Sequence, residues 1–300
     1  MRQFAIIADT SCDLPPEYIK EHGIEMMPVP LALNDVEYNI EGSQKISDKE
    51  FYEALRNGGT AKTSLINPET YINTFTQFAK QGMDAIYICL SSGLSSTYQS
   101  AMLAHGQVMD EYPHSNIYPI DGIGATAINS MLVMLAVKKR DEGLSAAETA
   151  AWLEEKKHSI LGFFTVDDLM YLHRGGRLNM LSAVSGALLN IKPVLNVQPD
   201  GKLALKDRVR GKAAAIKLMV KQLVRSVAPD AKLDTVLIIH TDCEGDAVNL
   251  AEIVKEAVYV REVIITMMSP VIGAHVGPGA VAVVFEADVT REEYEKKFYK

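Results

Sequence analysis

The stretch Ile86-Tyr-Ile-Cys-Leu-Ser-Ser-Gly-Leu-Ser-Ser-Thr-Tyr-Gln-Ser-Ala101 decides how this chain is interpreted. Its first five residues form a short apolar run, which is typical of a buried parallel strand. A turn rich in hydroxyl groups follows, and the spacing of Ser96 and Gln99 predicts a capping box with a helix that begins at Thr97. The free N–H groups of such a helix start attract anions, and Ser95 is then left to face a ligand. Turn formation alone also explains these serines, so a site needs support from other segments.

Strands and helices alternate on both sides of this stretch. Apolar runs at residues 4–8 and 116–120 predict two further strands, each followed by a helix, and this alternation indicates a parallel sheet covered by helices. Residues 194–205 predict a hairpin, which is typical of a mixed sheet. The sequence therefore predicts an α/β protein with a parallel-sheet N-terminal domain over residues 1–157 and a mixed-sheet C-terminal domain over residues 158–300.

Composition excludes several classes of function. The chain has 300 residues, 48% of them hydrophobic and 23% charged, and a net charge of −8. Such a charge gives no electrostatic support for a nucleic-acid partner. No apolar run approaches the ~18 residues that span a bilayer, and the N-terminus leads into a strand without the features of a signal peptide.

The cysteines indicate the compartment. Cys12, Cys89 and Cys243 are odd in number and far apart in the sequence. They therefore predict a reducing, cytoplasmic location and argue against a structural zinc site. No metal site is expected.

Two catalytic patterns can be compared with the sequence. Gly122-Ile-Gly-Ala-Thr-Ala127 reads G-x-G-x-x-A, but no second strand with a ribose-binding acid follows about 20 residues on, which disfavours a dinucleotide enzyme. Gly93-Leu-Ser-Ser-Thr97 begins like a nucleophile elbow but has threonine in place of the second glycine. Ser95, Asp242 and His275 occur in the chain order of a hydrolase triad, so a serine esterase remains an alternative.

Other polar segments are less specific. Thr63 and Ser64 lie in a predicted loop at residues 61–68, and residues 269–280 predict a Gly/Pro-rich loop that holds His275. His173-Arg-Gly-Gly-Arg177 is either an exposed basic turn or a pair of arginines presented to a carboxylate or phosphate. A small-residue segment follows at 182–189, and the charged tail at 291–300 is expected to fray.

Taken together, these motifs span the whole chain, and in their order the sequence resembles the DegV family. The resemblance is carried by Asp9-Thr-Ser-Cys-Asp-Leu14, Lys62-Thr-Ser64, Leu90-Ser-Ser-Gly-Leu-Ser-Ser-Thr-Tyr-Gln-Ser-Ala101, Gly175-Gly-Arg177, Asn190-Ile-Lys-Pro-Val194 and Ala274-His-Val-Gly-Pro-Gly-Ala280. It implies two α/β domains that enclose a narrow apolar tunnel for one long-chain fatty acid, such as palmitate, stearate or oleate. No other cofactor is implied.

By this resemblance the chain is a non-catalytic subunit of a bacterial fatty acid kinase. It would present the fatty acid to a separate catalytic subunit for phosphorylation and carry the acyl-phosphate, as a monomer or weak dimer. Thr63 and Ser95 match the hydroxyls that bind the carboxyl group. The residues that match a supporting role at the head group are His275, Arg177, Ser64 and Ser92.

The sequence departs from the family pattern in two places. Leu65-Ile66 stands where the family has Gln-Pro, and Ser96 stands where it has glycine. Both flank the head-group site without removing its hydroxyls. A third possibility is a scaffold whose bound lipid is incidental.

Burial of a fatty acid provides enough free energy for such a carrier. At ~0.8 kcal/mol for each methylene, a sixteen-carbon chain provides on the order of 12 kcal/mol before ordering costs. An apolar tunnel therefore supplies affinity, and a few hydroxyls only need to fix orientation.

Overall fold

The computed structural model describes residues 4–38, 46–179 and 190–299. In chain order the strands are β1 (Ala5–Asp9), β2 (Glu25–Met27), β3 (Leu31–Leu33), β4 (Val36–Tyr38), β5 (Ala61–Thr63), β6 (Ala85–Cys89), β7 (Ile117–Asp121), β8 (Ile160–Thr165), β9 (Ile191–Val197), β10 (Leu203–Arg210), β11 (Lys232–His240), β12 (Tyr259–Met267) and β13 (Val281–Glu286). The helices are α1 (Pro16–His22), α2 (Asp48–Arg56), α3 (Pro68–Gln81), α4 (Thr97–Glu111), α5 (Ala127–Asp141), α6 (Ala146–Lys156), α7 (Met170–Arg174), α8 (Lys212–Ser226), α9 (Glu244–Ala257), α10 (Pro270–Val276) and α11 (Arg291–Phe298). The predicted small-residue segment at 182–189 lies outside the described residues.

The chain divides into two compact units, which are not contiguous in sequence. The first unit contains Met1–Pro30 and Ser64–Lys157, and the second contains Leu31–Thr63 and His158–Lys300. This differs from the expected division into residues 1–157 and 158–300. Leu31–Thr63 joins the second unit because its apolar side chains, including Phe51 and Tyr52, pack in one cluster with Ala274.

The first unit is built on a four-stranded parallel sheet with the order β2-β1-β6-β7. Every residue of the central strands β1 and β6 is buried, as expected for parallel strands covered on both faces. The chain leaves β1 toward β2 on one side and leaves β6 toward β7 on the other. The carboxyl ends of β1 and β6 therefore flank a topological switch point, where open parallel sheets bind ligands.

The second unit contains a six-stranded mixed sheet with the order β10-β9-β8-β13-β11-β12 and a three-stranded antiparallel sheet with the order β4-β3-β5. In the larger sheet β11 and β12 are parallel, and the remaining neighbours are antiparallel. The predicted hairpin is present as β9 and β10. A parallel sheet in one unit and a mixed sheet in the other confirm the predicted α/β class.

The C-terminal tail does not fray as the sequence predicted. Residues 291–298 form α11, which begins with a capping box between Thr290 and Glu293. Tyr294 is buried against Phe163 with ring centroids 5.4 Å apart, and the Arg291 Nε donates to the carbonyl of Ile160. The prediction was wrong because two side chains of this charged segment, Arg291 and Tyr294, are buried.

Among the described residues, no helix is long and apolar enough to cross a membrane. The same part of the chain has no group of three histidine, cysteine or acidic side chains arranged to bind a metal ion.

Candidate functional site

The hydroxyl-rich turn lies at the switch point of the first unit, directly after β6. We call residues 91–97 the serine turn. The Ser91 N–H donates to the carbonyl of Gly124 (2.8 Å), which belongs to the turn after β7. The Ser91 carbonyl accepts from the N–H groups of Leu94 and Ser95, both at 3.0 Å, and its Oγ accepts from the N–H of Gly93 (3.1 Å). The turn is thus closed by its own backbone before α4 begins.

Ser95, and not Ser96, caps α4 through its side chain. Ser95 Oγ lies 2.8 Å from Thr97 Oγ1 and accepts from the Thr97 N–H at 3.3 Å, whereas Ser96 makes no side-chain cap bond. The predicted capping box of Ser96 and Gln99 is therefore wrong, although the helix does begin at Thr97. A short-range bond between residues two apart has replaced it. Ser95 is half-buried, and its hydroxyl contacts that of Thr97, whereas the sequence predicted a Ser95 hydroxyl left to face a ligand.

Two carboxylates at the strand ends hold the serine turn in place. The Asp9 carboxylate, at the end of β1, accepts from the Leu90 N–H at 3.1 Å. Asp121 Oδ1, at the end of β7, accepts from the N–H groups of Ser92 (3.1 Å) and Ile123 (2.9 Å). Asp121 therefore fixes the backbone of Ser92, a residue that the resemblance implicates in head-group support, and Asp9 fixes the backbone of Leu90 just before the serine turn.

The second unit brings together three of the residues singled out from the sequence. Thr63 is the last residue of β5, where it pairs with Leu31, so the prediction that it lies in a loop was wrong. Thr63 Oγ1 lies 2.8 Å from His275 Nε2. Arg177 follows α7, and its charge acts on His275. We call Thr63, His275 and Arg177 the imidazole site.

His275 lies on helix α10 and not in the predicted Gly/Pro-rich loop. Two glycines of that segment allow α10 to approach aromatic rings closely. A Cβ at Gly273 would lie 2.3 Å from the Tyr52 hydroxyl, and one at Gly277 would lie 2.4 Å from the Tyr171 ring. The glycines therefore serve packing, and α10 ends at Gly277, whose φ of 72° favours glycine.

The imidazole of His275 is neutral at neutral pH. Burial lowers its pKa to about 4, and the positive charge of Arg177 adds to this effect. Arg177 also donates to the carbonyl of Gly175. Gly175 is close enough to the ring that a Cβ there would lie 2.6 Å from His275 Nδ1. The site thus offers a hydroxyl and an uncharged ring, with the Arg177 cation close enough to act on the pKa of that ring.

The remaining predicted residues have other surroundings. Ser64 is exposed, and its N–H donates to the carbonyl of Pro30 (3.1 Å). Asp242, the acid of the hydrolase triad drawn from the sequence, forms an ion pair with Arg56, whose Nη2 also donates to the Asp242 carbonyl (2.9 Å). The contact of the His275 ring is with Thr63. The pairing of Asp242 with Arg56 gives the esterase interpretation no support.

Comparisons with known proteins show similarity over almost the whole chain. The family model described as "Uncharacterised protein, DegV family" matches residues 3–288. A DegV domain-containing protein of Clostridium perfringens is 33% identical over 288 residues, which cover 96% of this chain and 99% of that protein.

Solved structures are similar over the same length. A DegV family protein from Thermus thermophilus, described for its fatty acid binding, is 26% identical with a TM-score of 0.85, covering 96% of this chain and all (100%) of that one. A protein from Thermotoga maritima, described as revealing fatty acid binding function, is 26% identical with a TM-score of 0.83 and the same coverage, 96% and 100%.

Proposed function

This chain belongs to the DegV family, and from that premise we propose that it binds one long-chain fatty acid by its carboxyl group. The observation that supports this most directly is the contact of Thr63 Oγ1 with His275 Nε2 at 2.8 Å. A hydroxyl and a neutral imidazole bind a carboxyl group by hydrogen bonds without a buried countercharge, which would be costly to desolvate. The fatty acid binding described for the Thermus and Thermotoga proteins supports the same ligand.

Ser95 completes this proposal from the first unit. Ser95 belongs to the serine turn at the switch point, where α/β sheets bind ligands, and the start of this segment is fixed by bonds from the Leu90 and Ser92 N–H groups to Asp9 and Asp121. We assign Ser95 in the first unit and Thr63 in the second to binding of the fatty-acid carboxyl, with Ser92 and Ser64 in supporting roles. A variant that lacks both hydroxyls tests this assignment.

The chain is proposed to present the acid and not to transform it. The partners of Ser95 Oγ are the hydroxyl and the N–H of Thr97, and neither is a base that would activate a nucleophile. A separate fatty acid kinase would then phosphorylate the exposed carboxyl, and this chain would carry the acyl-phosphate. Arg177, half-buried beside His275, is suited to face the phosphoryl group.

Native mass spectrometry of the purified chain tests the binding proposal. The expected result is a stoichiometric adduct with the mass of a fatty acid such as palmitate, stearate or oleate, released on denaturation. Thr63→Ala should lower its occupancy, whereas Thr60→Ala, an exposed threonine three residues away, should not. An adduct that survives denaturation would indicate an acyl-enzyme on Ser95 and contradict the carrier. Failure to take up added palmitate or oleate would reject fatty acid binding altogether.

A further inference from the structure

The turn after β7 contains two β-branched residues in backbone conformations that such residues rarely adopt. We call residues 121–126 the strained turn. Ile123 has φ 41° and Thr126 has φ 51°, and positive values are unusual for branched side chains. With ψ −126°, Thr126 has the angles of the first central position of a type II′ turn, which the Ile128 N–H closes by donating to the Ala125 carbonyl (3.1 Å). Glycine is the residue that favours this position.

Two hydrogen bonds to the loop after β1 hold Thr126 in these angles. Its N–H donates to the Ser11 carbonyl (2.8 Å), and its hydroxyl donates to Asp13 Oδ2 (2.6 Å). Ser11 and Asp13 are both buried, so the surrounding core fixes their positions. Backbone strain persists only where such contacts impose it, and it is common at binding sites. A glycine would avoid the strain but has no hydroxyl, so the contact with Asp13 explains why a threonine occupies a glycine position.

The other end of the strained turn is attached to the serine turn. Asp121 Oδ1 accepts from the Ser92 N–H (3.1 Å), and the Asp121 carbonyl accepts from Lys157 Nζ (3.0 Å). Between the two ends, the Gly124 carbonyl accepts from the Ser91 N–H (2.8 Å). The strained turn therefore connects the loop after β1 with the first two residues of the serine turn. All of these contacts lie within the first unit.

The glycines of the G-x-G-x-x-A pattern have a packing role in the same turn. A Cβ at Gly122 would lie 2.3 Å from Asn129 Oδ1, and one at Gly124 would lie 2.3 Å from the Ile128 side chain. Both partners belong to α5, so the glycines let the strained turn lie directly against the start of that helix. This packing accounts for the pattern without a bound dinucleotide.

We propose that Thr126 is a positioning residue for fatty acid binding. Its bond to Asp13 fixes the strained turn, and the strained turn holds the backbone of Ser91 and Ser92. Thr126 thus acts on the ligand only through the serine turn. This inference rests on the proposed function, in which the serine turn binds the head group, and it adds a residue outside that turn on which the binding conformation depends.

Three substitutions at position 126 separate the effect of the hydroxyl from that of the strain. Thr126→Ser keeps the hydroxyl and the Cβ, Thr126→Ala keeps only the Cβ, and Thr126→Gly has neither. The measured quantities are the dissociation constant for dodecanoate, the urea concentration at half-unfolding and the hydrogen-exchange rates of the Ser91 and Ser92 amides. The exchange rates are measured on the delipidated chain.

Thr126→Ser should keep the dissociation constant and the exchange rates of the natural chain. Thr126→Ala should raise the dissociation constant roughly three- to tenfold, the worth of one hydrogen bond, and should speed exchange at Ser91 and Ser92 about tenfold. Thr126→Gly should bind as weakly as Thr126→Ala but unfold at a higher urea concentration, because glycine adopts the type II′ angles without strain.

Ser145→Ala is the matched control for stability. Ser145 caps α6 in the same unit, and its side chain accepts from the Glu148 N–H (3.2 Å). Loss of this cap should lower the urea concentration at half-unfolding. It should leave the dissociation constant for dodecanoate and both exchange rates at the values of the natural chain.

A dissociation constant that follows stability across the four variants would overturn the proposal, because stability alone would then set the affinity. Recovery of both stability and affinity in Thr126→Gly has the same meaning. Unchanged exchange at Ser91 and Ser92 in Thr126→Ala would also contradict a role through the serine turn. If the natural chain does not bind dodecanoate, the proposed function fails and the effect on the ligand fails with it. The exchange rates then still decide whether Thr126 positions the serine turn.

Discussion

Gly175 provides a direct test of whether the position of His275 governs ligand binding. A Cβ at this position would lie 2.6 Å from His275 Nδ1 and 3.3 Å from the Tyr171 carbonyl oxygen. The backbone of Gly175 has φ −71° and ψ −10°, which alanine adopts without strain. Gly175→Ala therefore acts almost entirely by pushing the imidazole, and overpacking of this kind costs about 1–3 kcal/mol of stability.

We expect Gly175→Ala to break the contact between Thr63 and His275. Fatty acid affinity should fall about five- to thirtyfold, which corresponds to one hydrogen bond of about 1–2 kcal/mol. The assays are titration with dodecanoate and the ¹⁵N chemical shifts of the imidazole, which report the hydrogen bond at Nε2. Urea denaturation measures the stability cost separately.

The adjacent glycine is a matched control. Gly176 has φ +75°, and a Cβ added there would have no atom within 4 Å, so Gly176→Ala strains the backbone by about 1–2 kcal/mol without touching the ring. It should lower stability and leave dodecanoate affinity and the imidazole shifts unchanged. If Gly175→Ala shifts the His275 resonances while affinity stays at the level of Gly176→Ala, His275 does not govern binding.

Three further predictions concern affinity, pH and the C-terminal helix. Ser95→Ala and Thr63→Ala should each weaken dodecanoate binding by ~1–3 kcal/mol. If both hydroxyls bind one carboxyl group, a double-mutant cycle should show coupling between the two substitutions. Strictly additive losses would mean that the two hydroxyls act independently. The pKa of His275 is lowered in the folded chain to about 4 from 6.5, so its contribution to stability is present above pH 6.5 and is lost as pH falls toward 4, about 3 kcal/mol in all. Urea titrations should show this slope, and His275→Gln should remove it. Tyr294→Ala should cost about 3–5 kcal/mol by the same denaturation assay because the ring is fully buried; a loss below about 1 kcal/mol would mean that α11 is dispensable.

Several helix starts depend only on sequence within one turn of the helix. Ser47 and Ser145 cap their helices through capping boxes, and Asn67 caps α3. At α4 the spacing of Ser96 and Gln99 is that of a capping box, but Ser96 has ψ 14° instead of the extended angles of Ser47 and Ser145, and Ser95 makes the bond to Thr97. The sequence carries no signal for that choice.

Non-local packing explains the larger differences. Residues 269–280 contain glycines and prolines, which are typical of a loop. In the structure Gly273 and Gly277 leave room for Tyr52 and Tyr171, which pack against α10. Leu31–Thr63 joins the second unit for a related reason, since its core cluster includes Ala274. Neither partner is near in sequence, so no pattern in a short window predicts the contact.

The site shows the same division between local and non-local information. Thr63, His275 and Arg177 were singled out by resemblance, and the structure brings them together in the second unit.

Each unit holds a charged group close to the neutral groups that we assign to the ligand. Asp9 accepts from the N–H of Leu90, next to the serine turn, and Arg177 acts on the pKa of His275. This arrangement suits a ligand whose affinity comes from its chain, because on the order of 12 kcal/mol of apolar burial leaves the head group little to add. The polar groups then decide which protonation state and which head group are accepted.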